Sequence, residues 1–363
     1  MHSTGIVKDR RYLNHLTPEE HPESPRRLEV IYTMLEEAEM QNRFVDIPPR
    51  PAERDEILMV HSAAHYDKIA ATAGREATAL TPDTLTSAQS FETALLAAGG
   101  LMEAVKVVVE GRVQNAFALI RPPGHHAEKS RAMGYCLFNN VAVAAQYARK
   151  VMGLQRVMIV DWDVHHGNGT GHFFERDASV LFFSIHQYPH FPGTGYFTEA
   201  GIGPGEGYNV NVPIPKGYGD AEYVAVFERL LRPLALEFQP ELILVSAGFD
   251  IHPSDSMGRM DVTYQGFAAL TRSLMEMAEA CCRGRLVLSL EGGYSLETVA
   301  DSVKFVLNEM GDATHCDPAR MAARADRKKL AYVLKRSGHV HRHRWKCFSH
   351  SVEKRRLFGI IRF

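Results

Sequence analysis

Short runs of apolar residues alternate along this chain with longer segments in which apolar residues recur at helical spacing. The short runs are apolar throughout, which is typical of strands that are covered on both faces. They predict strands at residues 116–120, 157–160, 180–185, 209–214, 242–246 and 286–290. The longer segments predict helices at residues 27–40, 91–109, 140–151, 221–238, 264–282 and 295–310. This alternation indicates an α/β fold with a mostly parallel central sheet and helices on both faces.

Length and composition are those of an ordinary globular protein. The chain has 363 residues, of which 45% are hydrophobic and 23% charged, without an internal repeat or a low-complexity linker. We therefore predict a single domain over residues 1–318, with a basic helical segment at 319–363 packed on it. No 18-residue uncharged apolar stretch and no apolar leader is visible, so no membrane span or signal peptide is expected. Five cysteines without a CxxC pair predict free thiols and a reducing, cytoplasmic location.

Charge is distributed unevenly. Residues 319–363 hold 14 Lys and Arg against 2 Asp and Glu, a net charge of +12, which leaves -14 for the rest of a chain whose formal net charge is -2. An acidic body mildly favours cationic substrates. Within the basic segment, a final helix at 324–336 that packs Leu330, Val333 and Leu334 on the body is favoured over a binding arm. We expect no nucleic-acid partner; a homo-oligomer, and a membrane-surface or subunit contact by residues 354–363, stay open.

Polar residues follow four of the predicted strands directly. These segments are Arg-Pro-Pro-Gly-His-His at 121–126, Asp-Trp-Asp-Val-His-His at 161–166, Gly-Phe-Asp at 248–250 and Glu-Gly-Gly-Tyr at 291–294. The carboxyl ends of parallel strands meet at one edge of the sheet, where ligands bind in α/β proteins. The sequence therefore predicts one site built from all four segments.

The residue types at these strand ends suit metal-assisted hydrolysis. Asp163, His165 and Asp250 would give a divalent metal three ligands and leave a coordination position open for water and substrate. The pair His125 and His126 could serve as general base and general acid. Tyr294 could donate a hydrogen bond to the oxyanion of a tetrahedral intermediate. Such a set predicts the hydrolysis of an amide.

These segments resemble the zinc-dependent histone deacetylase family, which includes acetylpolyamine amidohydrolases and bacterial deacetylase-like proteins. The similar motifs run in family order from about residue 20 to about residue 310: RPPGHHA (121–127), GYCLFNN (134–140), DWDVHHGNGT (161–170), FFSIHQYPHFPGTG (182–195), YNVNVPIP (208–215), SAGFD (246–250) and LEGGY (290–294). DWDVHHGNG and LEGGY resemble the class II branch in particular.

The resemblance implies a role for each matching position. It implies one Zn²⁺ per chain on Asp163, His165 and Asp250, the tandem catalytic histidines at 125 and 126, and the transition-state tyrosine at 294. Asp161 would orient the first histidine, and Asn168 stands behind the second, where other branches carry Asp. Gly134, Tyr135 and Phe191 would line the acyl-lysine tunnel, with Met257 at its gate. His186, Cys136 and Glu291 are expected to be structural.

The same resemblance implies two structural sites for K⁺ or Na⁺. The first would use main-chain oxygens of Asp161, Asp163, His165 and Ile185, together with Ser184. The second would use Phe174, Asp177, Val180 and Tyr208.

Three classes of function remain to be distinguished: a deacetylase with one of two substrates, a binding module and a ureohydrolase. The favoured one is a deacetylase that removes an acyl group from lysine in a protein or peptide, because the apolar Met257 offers a cationic amine no attraction. An acetylpolyamine or other small acetylated amine is the alternative substrate. A non-catalytic acyl-ligand binding module, and a two-metal ureohydrolase of the arginase type, are the alternatives of other classes.

Overall fold

The structure is a computed structural model and describes residues 3–348. Its strands in chain order are β1 (Thr4–Val7), β2 (Val45–Asp46), β3 (Thr78–Thr81), β4 (Thr84–Thr86), β5 (Asn115–Ala118), β6 (Val157–Asp161), β7 (Val180–Gln187), β8 (Asn209–Ile214), β9 (Leu242–Ala247) and β10 (Leu286–Leu290). Eight of them form one sheet in the order β2-β1-β5-β10-β9-β6-β7-β8, and each neighbouring pair is parallel. β3 and β4 form a separate antiparallel hairpin.

Helices connect these strands. They are α1 (Arg26–Leu35), α2 (Arg54–Ile57), α3 (Ala63–Ala70), α4 (Ser90–Val109), α5 (Asn140–Lys150), α6 (Asn168–Phe174), α7 (Asp220–Val226), α8 (Arg232–Phe238), α9 (Tyr264–Cys282), α10 (Leu296–Met310), α11 (Pro318–Ala322) and α12 (Arg327–His341). Two 3₁₀ turns occupy Arg10–Asn14 and Gly203–Gly205, and a π turn occupies Phe227–Leu231. No helix of the described residues has the length and apolar character needed to cross a membrane.

The sheet is covered by helices, as the apolar runs predict. Every residue of β6, β9 and β10 is buried. α4 and α5 pack on each other and on the central strands, while α1, α10, α9 and α7 pack in succession in a second layer. The prediction of a single α/β domain with a parallel central sheet is confirmed.

The predicted elements differ from the structure where tertiary contacts override local pattern. The first predicted helix ends at Leu35 instead of residue 40, and the residues that follow form turns up to Asn42, which has a left-handed φ of 59°. The helix predicted at 221–238 is interrupted by the π turn, which precedes Pro233; a proline cannot donate the helical hydrogen bond at its position. The two-residue strand β2 and the short strand β1 carry no recognisable pattern, so the sequence does not predict them.

The basic segment folds onto the body over its described part. Leu330 and Val333 of α12 are buried, and Leu334 packs partly buried against the core. Beyond α12, the Trp345 indole donates a 2.8 Å hydrogen bond to the Gly207 carbonyl. The prediction made for residues 354–363 lies outside the described residues.

Candidate active site

Five adjacent strands, β5, β10, β9, β6 and β7, deliver the predicted site residues from their carboxyl ends. β6 ends at Asp161 and β9 at Ala247, so Asp163, His165 and Asp250 follow within a few residues. β5 leads to the histidine pair and β10 to Tyr294. The strand order thus brings residues that are far apart in the sequence to one edge of the sheet.

Asp163, His165 and Asp250 converge as a buried set of donor atoms. One donor from each residue lies within 4.8 Å of the others. His165 Nδ1 lies 3.0 Å from Asp163 Oδ1 and 3.3 Å from Asp250 Oδ2. The nitrogen is hydrogen-bonded to the Asp163 oxygen, and Asp250 Oδ2 has no hydrogen-bond partner among the described residues. Two carboxylates and one imidazole therefore point at a common centre with an unsatisfied oxygen.

This arrangement fits a divalent cation. Burial, followed by the charge of Asp163, raises the pKa of Asp250 to about 7. Two buried carboxylates so close together are costly unless a cation neutralises them. The backbone also closes tightly around the set, since a Cβ added to Gly292 would overlap the Oδ2 atoms of both Asp250 and Asp163. A mixed oxygen and nitrogen set of three ligands is what Zn²⁺ takes in catalytic sites.

The first histidine of the pair is held by a carboxylate. His125 Nδ1 lies 3.0 Å from Asp161 Oδ2, and its Nε2 lies 3.9 Å from Asp163 Oδ1. Burial alone would lower the pKa of His125, but the charges of Asp161 and Asp163 raise it to about 10. Glu291 Oε2 accepts hydrogen bonds from the backbone nitrogens of Gly124 and His125, at 2.7 and 3.2 Å. Glu291 thus braces the loop that carries both histidines.

The second histidine has a neutral partner. His126 Nδ1 lies 2.7 Å from Asn168 Oδ1, and both residues are buried. Burial, together with the positive charges of His125 and His165, lowers the pKa of His126 well below its ordinary value. The two adjacent histidines therefore differ in protonation: His125 favours the imidazolium and His126 the neutral imidazole.

Hydrogen bonds to the backbone hold Tyr294 in place. Its nitrogen donates to Asp255 Oδ2 at 2.5 Å, and the Arg27 guanidinium donates to the carbonyls of Glu291 and Gly293 at 2.5 and 2.6 Å. The same guanidinium lies 5.0 Å from the centre of the Tyr294 ring. Burial raises the pKa of Tyr294 well above its ordinary value, and the charges of Asp250 and Asp163 add to the effect. The hydroxyl stays protonated and can act as a donor.

Aromatic side chains surround the approach to this centre. The Tyr135 ring packs edge-to-face with Tyr294 at 5.9 Å, and the Phe191 ring contacts His126 at 5.1 Å and His165 at 6.0 Å. Phe191 is 41% exposed, so it lies at the solvent-facing end of this approach. Gly134 lies under His126 and is replaceable only with strain, because its φ is +56° and an added Cβ would overlap the imidazole.

Several contacts of this wall were not anticipated from the sequence. The β3–β4 hairpin holds the backbone at residues 134 and 135, since Gly134 N donates to Asp83 Oδ2 and Tyr135 N to Thr84 Oγ1. The His190 ring stacks on His165 at 5.0 Å, and its Nε2 lies 2.9 Å from the carbonyl oxygen of Met257. Asp83 and Asp255 lie in segments without a distinctive pattern, so only the fold reveals them. His190 lies within the motif at 182–195, but only the fold reveals its contact with His165.

The residues of the two expected monovalent-ion sites lie on and around β6 and β7. Asp161 and Ser184 are register partners on β6 and β7, and Ser184 Oγ lies 2.9 Å from His186 Nδ1. In the second group, the carbonyls of Phe174, Asp177 and Tyr208 each accept one backbone hydrogen bond. A carbonyl oxygen has two lone pairs, so each retains one for a cation.

The chain is similar to known proteins over most of its length. The model of the histone deacetylase domain matches residues 21–310. A probable deacetylase of Archaeoglobus fulgidus is 38% identical over 358 residues, which cover 95% of this chain and 99% of the relative. The polyamine deacetylase HDAC10 of Homo sapiens is 42% identical over 303 residues, covering 79% of this chain and 44% of the relative.

Histone deacetylase 5 of Arabidopsis thaliana is 41% identical over 317 residues, covering 82% of this chain and 47% of the relative. The chain thus spans about half the length of the human and plant relatives. Among solved structures, the crystal structure of the HDA15 HD domain superposes with a TM-score of 0.88 at 37% identity, covering 98% of this chain and 99% of that one.

Proposed function

The chain belongs to the histone deacetylase family and is a hydrolytic deacetylase, and from this premise we propose that it uses Zn²⁺ to remove acyl groups from lysine side chains of proteins or peptides. The observation that carries the metal assignment is the convergence of Asp163, His165 and Asp250 within 4.8 Å. Zn²⁺ held there would polarise the acyl carbonyl and lower the pKa of a water molecule to roughly 7. All further steps are assigned to side chains of this protein.

Proton transfer is assigned to His126. Its lowered pKa keeps the imidazole neutral, so Nε2 can accept the proton of the attacking water. The same proton then passes to the amine nitrogen as the carbon–nitrogen bond breaks, which leaves a carboxylic acid and an amine; the acid then gives its proton to the amine, so the products are a carboxylate and an ammonium group. His125, with its pKa raised to about 10, keeps a positive charge beside the reacting atoms and stabilises the negative charge that develops on them.

Tyr294 is assigned to the oxyanion. Its pKa is raised well above the ordinary value, so it donates a hydrogen bond to the developing charge and keeps its proton. Arg27 and Asp255 hold its backbone from two sides, which fixes where the ring can lie. Little reorganisation is then needed when the oxyanion forms.

The substrate assignment rests on the walls of the approach. Gly134, Tyr135 and Phe191 would bracket the uncharged part of an acyl-lysine side chain, with Met257 at the gate. Met257 is apolar and half-buried, so it gives no electrostatic preference for a second ammonium group of a polyamine. The human relative named as a polyamine deacetylase makes that substrate the direct competitor.

Turnover on matched substrates tests the assignment. We expect chelator-sensitive hydrolysis, with a higher kcat/KM on an acetyl-lysine peptide than on acetylated polyamines or small acetylated amines. A higher kcat/KM on acetylspermidine would make the polyamine the substrate and refute the assignment to lysine. Metal analysis of the purified protein should give one zinc per chain, whereas two would favour a ureohydrolase-type centre.

The remaining assignments concern structure and location. We propose that K⁺ or Na⁺ binds at each of the two monovalent-ion sites described above. We also propose a catalytic domain over residues 1–318 and a basic segment at 319–363 that packs on it. All five cysteines are free thiols, which supports a reducing, cytoplasmic compartment. Crystallographic anomalous scattering from Tl⁺-soaked protein would test the monovalent-ion sites, because Tl⁺ substitutes for K⁺.

A further inference from the structure

A line of hydrogen bonds leads from His126 away from the metal ligands to the protein surface. His126 Nδ1 lies 2.7 Å from Asn168 Oδ1, and Asn168 Nδ2 donates to Glu128 Oε1 at 2.5 Å. The same Glu128 oxygen lies 2.8 Å from Nδ1 of His172. Asn168 and His172 are four residues apart on α6, so both reach Glu128 from one face of the helix. The His172 side chain is 48% exposed, so the line ends in solvent.

An asparagine alone cannot set the tautomer of a histidine. Its amide carries an acceptor oxygen and a donor nitrogen of nearly equal size. If the oxygen faces Nδ1 of His126, that nitrogen must carry the proton and Nε2 keeps its lone pair. If the amide is turned over, Nδ1 must accept and the proton moves to Nε2. Only the first tautomer can take a proton from water at Nε2.

The surroundings of Asn168 Nδ2 resolve this choice. Besides Glu128 Oε1, the nitrogen lies 3.5 Å from the carbonyl oxygen of His126 and 3.5 Å from the sulfur of Met133. All three neighbours are acceptors, and Glu128 is the only charged one. A carboxylate accepts hydrogen bonds and donates none, so the NH₂ group must face it. Charge-assisted hydrogen bonds are also the stronger ones.

We propose that Glu128 sets the tautomer of His126, acting through the amide of Asn168. Glu128 is a positioning residue: its carboxylate contacts Asn168 and His172, and it acts on His126 only through Asn168. The inference rests on the proposed function, because it presupposes that His126 accepts a proton at Nε2. It explains how a neutral asparagine can stand behind a catalytic histidine.

The backbone around Glu128 is held independently of its carboxylate. Its nitrogen donates to the Arg131 carbonyl at 2.8 Å, and its carbonyl oxygen lies 3.0 Å from His61 Nδ1. A substitution of the side chain therefore leaves these contacts in place. This separates a role in orienting Asn168 from a role in holding the loop.

A double-mutant cycle on the zinc-loaded 363-residue chain tests the proposal. In Glu128→Gln, the new amide can donate or accept, so Asn168 loses its fixed orientation. We expect kcat to fall about tenfold or more with KM nearly unchanged, since the loss of a group that fixes a catalytic tautomer lowers turnover. Asn168→Asp alone should also lose turnover, because it places two carboxylates in contact.

The variant that combines Glu128→Gln with Asn168→Asp should regain activity over both single variants. The carboxylate introduced by Asn168→Asp would accept from His126 Nδ1 in either orientation, and the amide introduced by Glu128→Gln would donate to its other oxygen. Recovery of kcat to within a few-fold of the wild type is the expected result. A double variant no more active than the singles would overturn the proposal. Glu206→Gln, at an exposed glutamate, is the matched control, and zinc content and melting temperature report on folding.

Nitrogen NMR of ¹⁵N-histidine-labelled protein gives a readout independent of turnover. His126 is assigned by the resonances that disappear in His126→Ala. The wild type and Glu128→Asp, which keeps a carboxylate, should show the proton on Nδ1, while Glu128→Gln should show a mixture of tautomers. An unchanged Nδ1–H signal in Glu128→Gln would refute the proposal. Wild-type protein inactive on every acylated amine would instead refute the proposed function, and the NMR result would still decide this inference.

Discussion

Two groups of buried charged side chains lie in this molecule, and they differ in whether protein atoms satisfy their hydrogen bonds. The arginine cluster consists of Glu23, Arg27 and Arg121, all with fully buried side chains. The ligand cluster consists of Asp163, His165 and Asp250. In the first, Glu23 accepts from both guanidinium groups at 2.5 to 3.1 Å. In the second, two carboxylates face one imidazole and Asp250 Oδ2 has no hydrogen-bond partner among the described residues.

The remaining donors of the arginine cluster are also satisfied. Arg121 donates to the carbonyls of Tyr12 and His15, and Arg27 to those of Glu291 and Gly293. Buried charges are tolerated when they are paired and fully hydrogen-bonded. The arginine cluster meets that condition with protein atoms alone, and it supports the Tyr294 segment. The ligand cluster does not meet it with the described protein atoms, which is the property expected of a set that binds a cation and on which the proposed function depends.

The largest effect is expected from removing a ligand. Asp250→Asn replaces an anionic donor, so we expect the zinc affinity to fall by more than about 100-fold, since groups that merely orient a ligand already cost 10- to 100-fold. Turnover should be lost with the metal. Mass spectrometry and kcat check this, with the exposed Asp301→Asn as control. Full zinc content and activity in Asp250→Asn would remove the distinction between the two clusters.

Tyr294→Phe should lower kcat by about 10²- to 10³-fold while leaving zinc content unchanged, because it removes one donor to the oxyanion and no ligand. The matched control is Tyr332→Phe, at an exposed tyrosine on α12. Steady-state kinetics at saturating acetyl-lysine peptide measures the loss. A wild-type kcat would show that the tyrosine supported by the arginine cluster has no part in the reaction.

Glu23→Gln should lower the free energy of unfolding by about 3–5 kcal/mol, since it leaves two buried guanidinium groups without their counter-charge. Glu103→Gln is the control, because its ion pair with the 35% exposed Arg50 side chain should contribute less than about 1 kcal/mol. Urea denaturation of the zinc-loaded variants measures both. Equal effects of the two substitutions would contradict the special status of the buried cluster.

The same carboxylate should make stability depend on pH at the acidic end. Burial would raise the pKa of Glu23, but the charges of Arg121 and Arg27 lower it from 4.5 to about 2. A lowered pKa in the folded state means that the contribution is complete above about 4.5 and is lost as the pH falls towards 2. The stability difference between wild type and Glu23→Gln should therefore shrink over that range. A difference that is constant from about pH 6 to about 3 would show that Glu23 is not ionised in the folded protein.

The local pattern of apolar and polar residues determined the bounds of several helices and strands and the residues at the strand ends. α9 has the predicted bounds Tyr264–Cys282 and β10 the bounds Leu286–Leu290, because burial on a helix or strand leaves a periodic signature in neighbouring residues. The polar residues after β5, β6, β9 and β10 likewise predicted which side chains would meet, since parallel strands end at one edge. The convergence of Asp163, His165 and Asp250 could therefore be predicted from the residues that follow each strand, and their role as metal ligands stays a proposal.

Tertiary structure alone decided how those residues are held. Three carboxylates accept hydrogen bonds from residues that lie 39 to 51 positions away in the sequence. They are Asp255, which accepts from Tyr294 N, Asp83, which accepts from Gly134 N, and Glu128, which accepts from Asn168 Nδ2. A single hydrogen bond over such a separation leaves no periodic trace, because its partners are brought together by the packing of whole elements and not by local propensity. Short stretches of sequence therefore determine which reactive side chains the site contains, while the fold determines how those side chains are oriented.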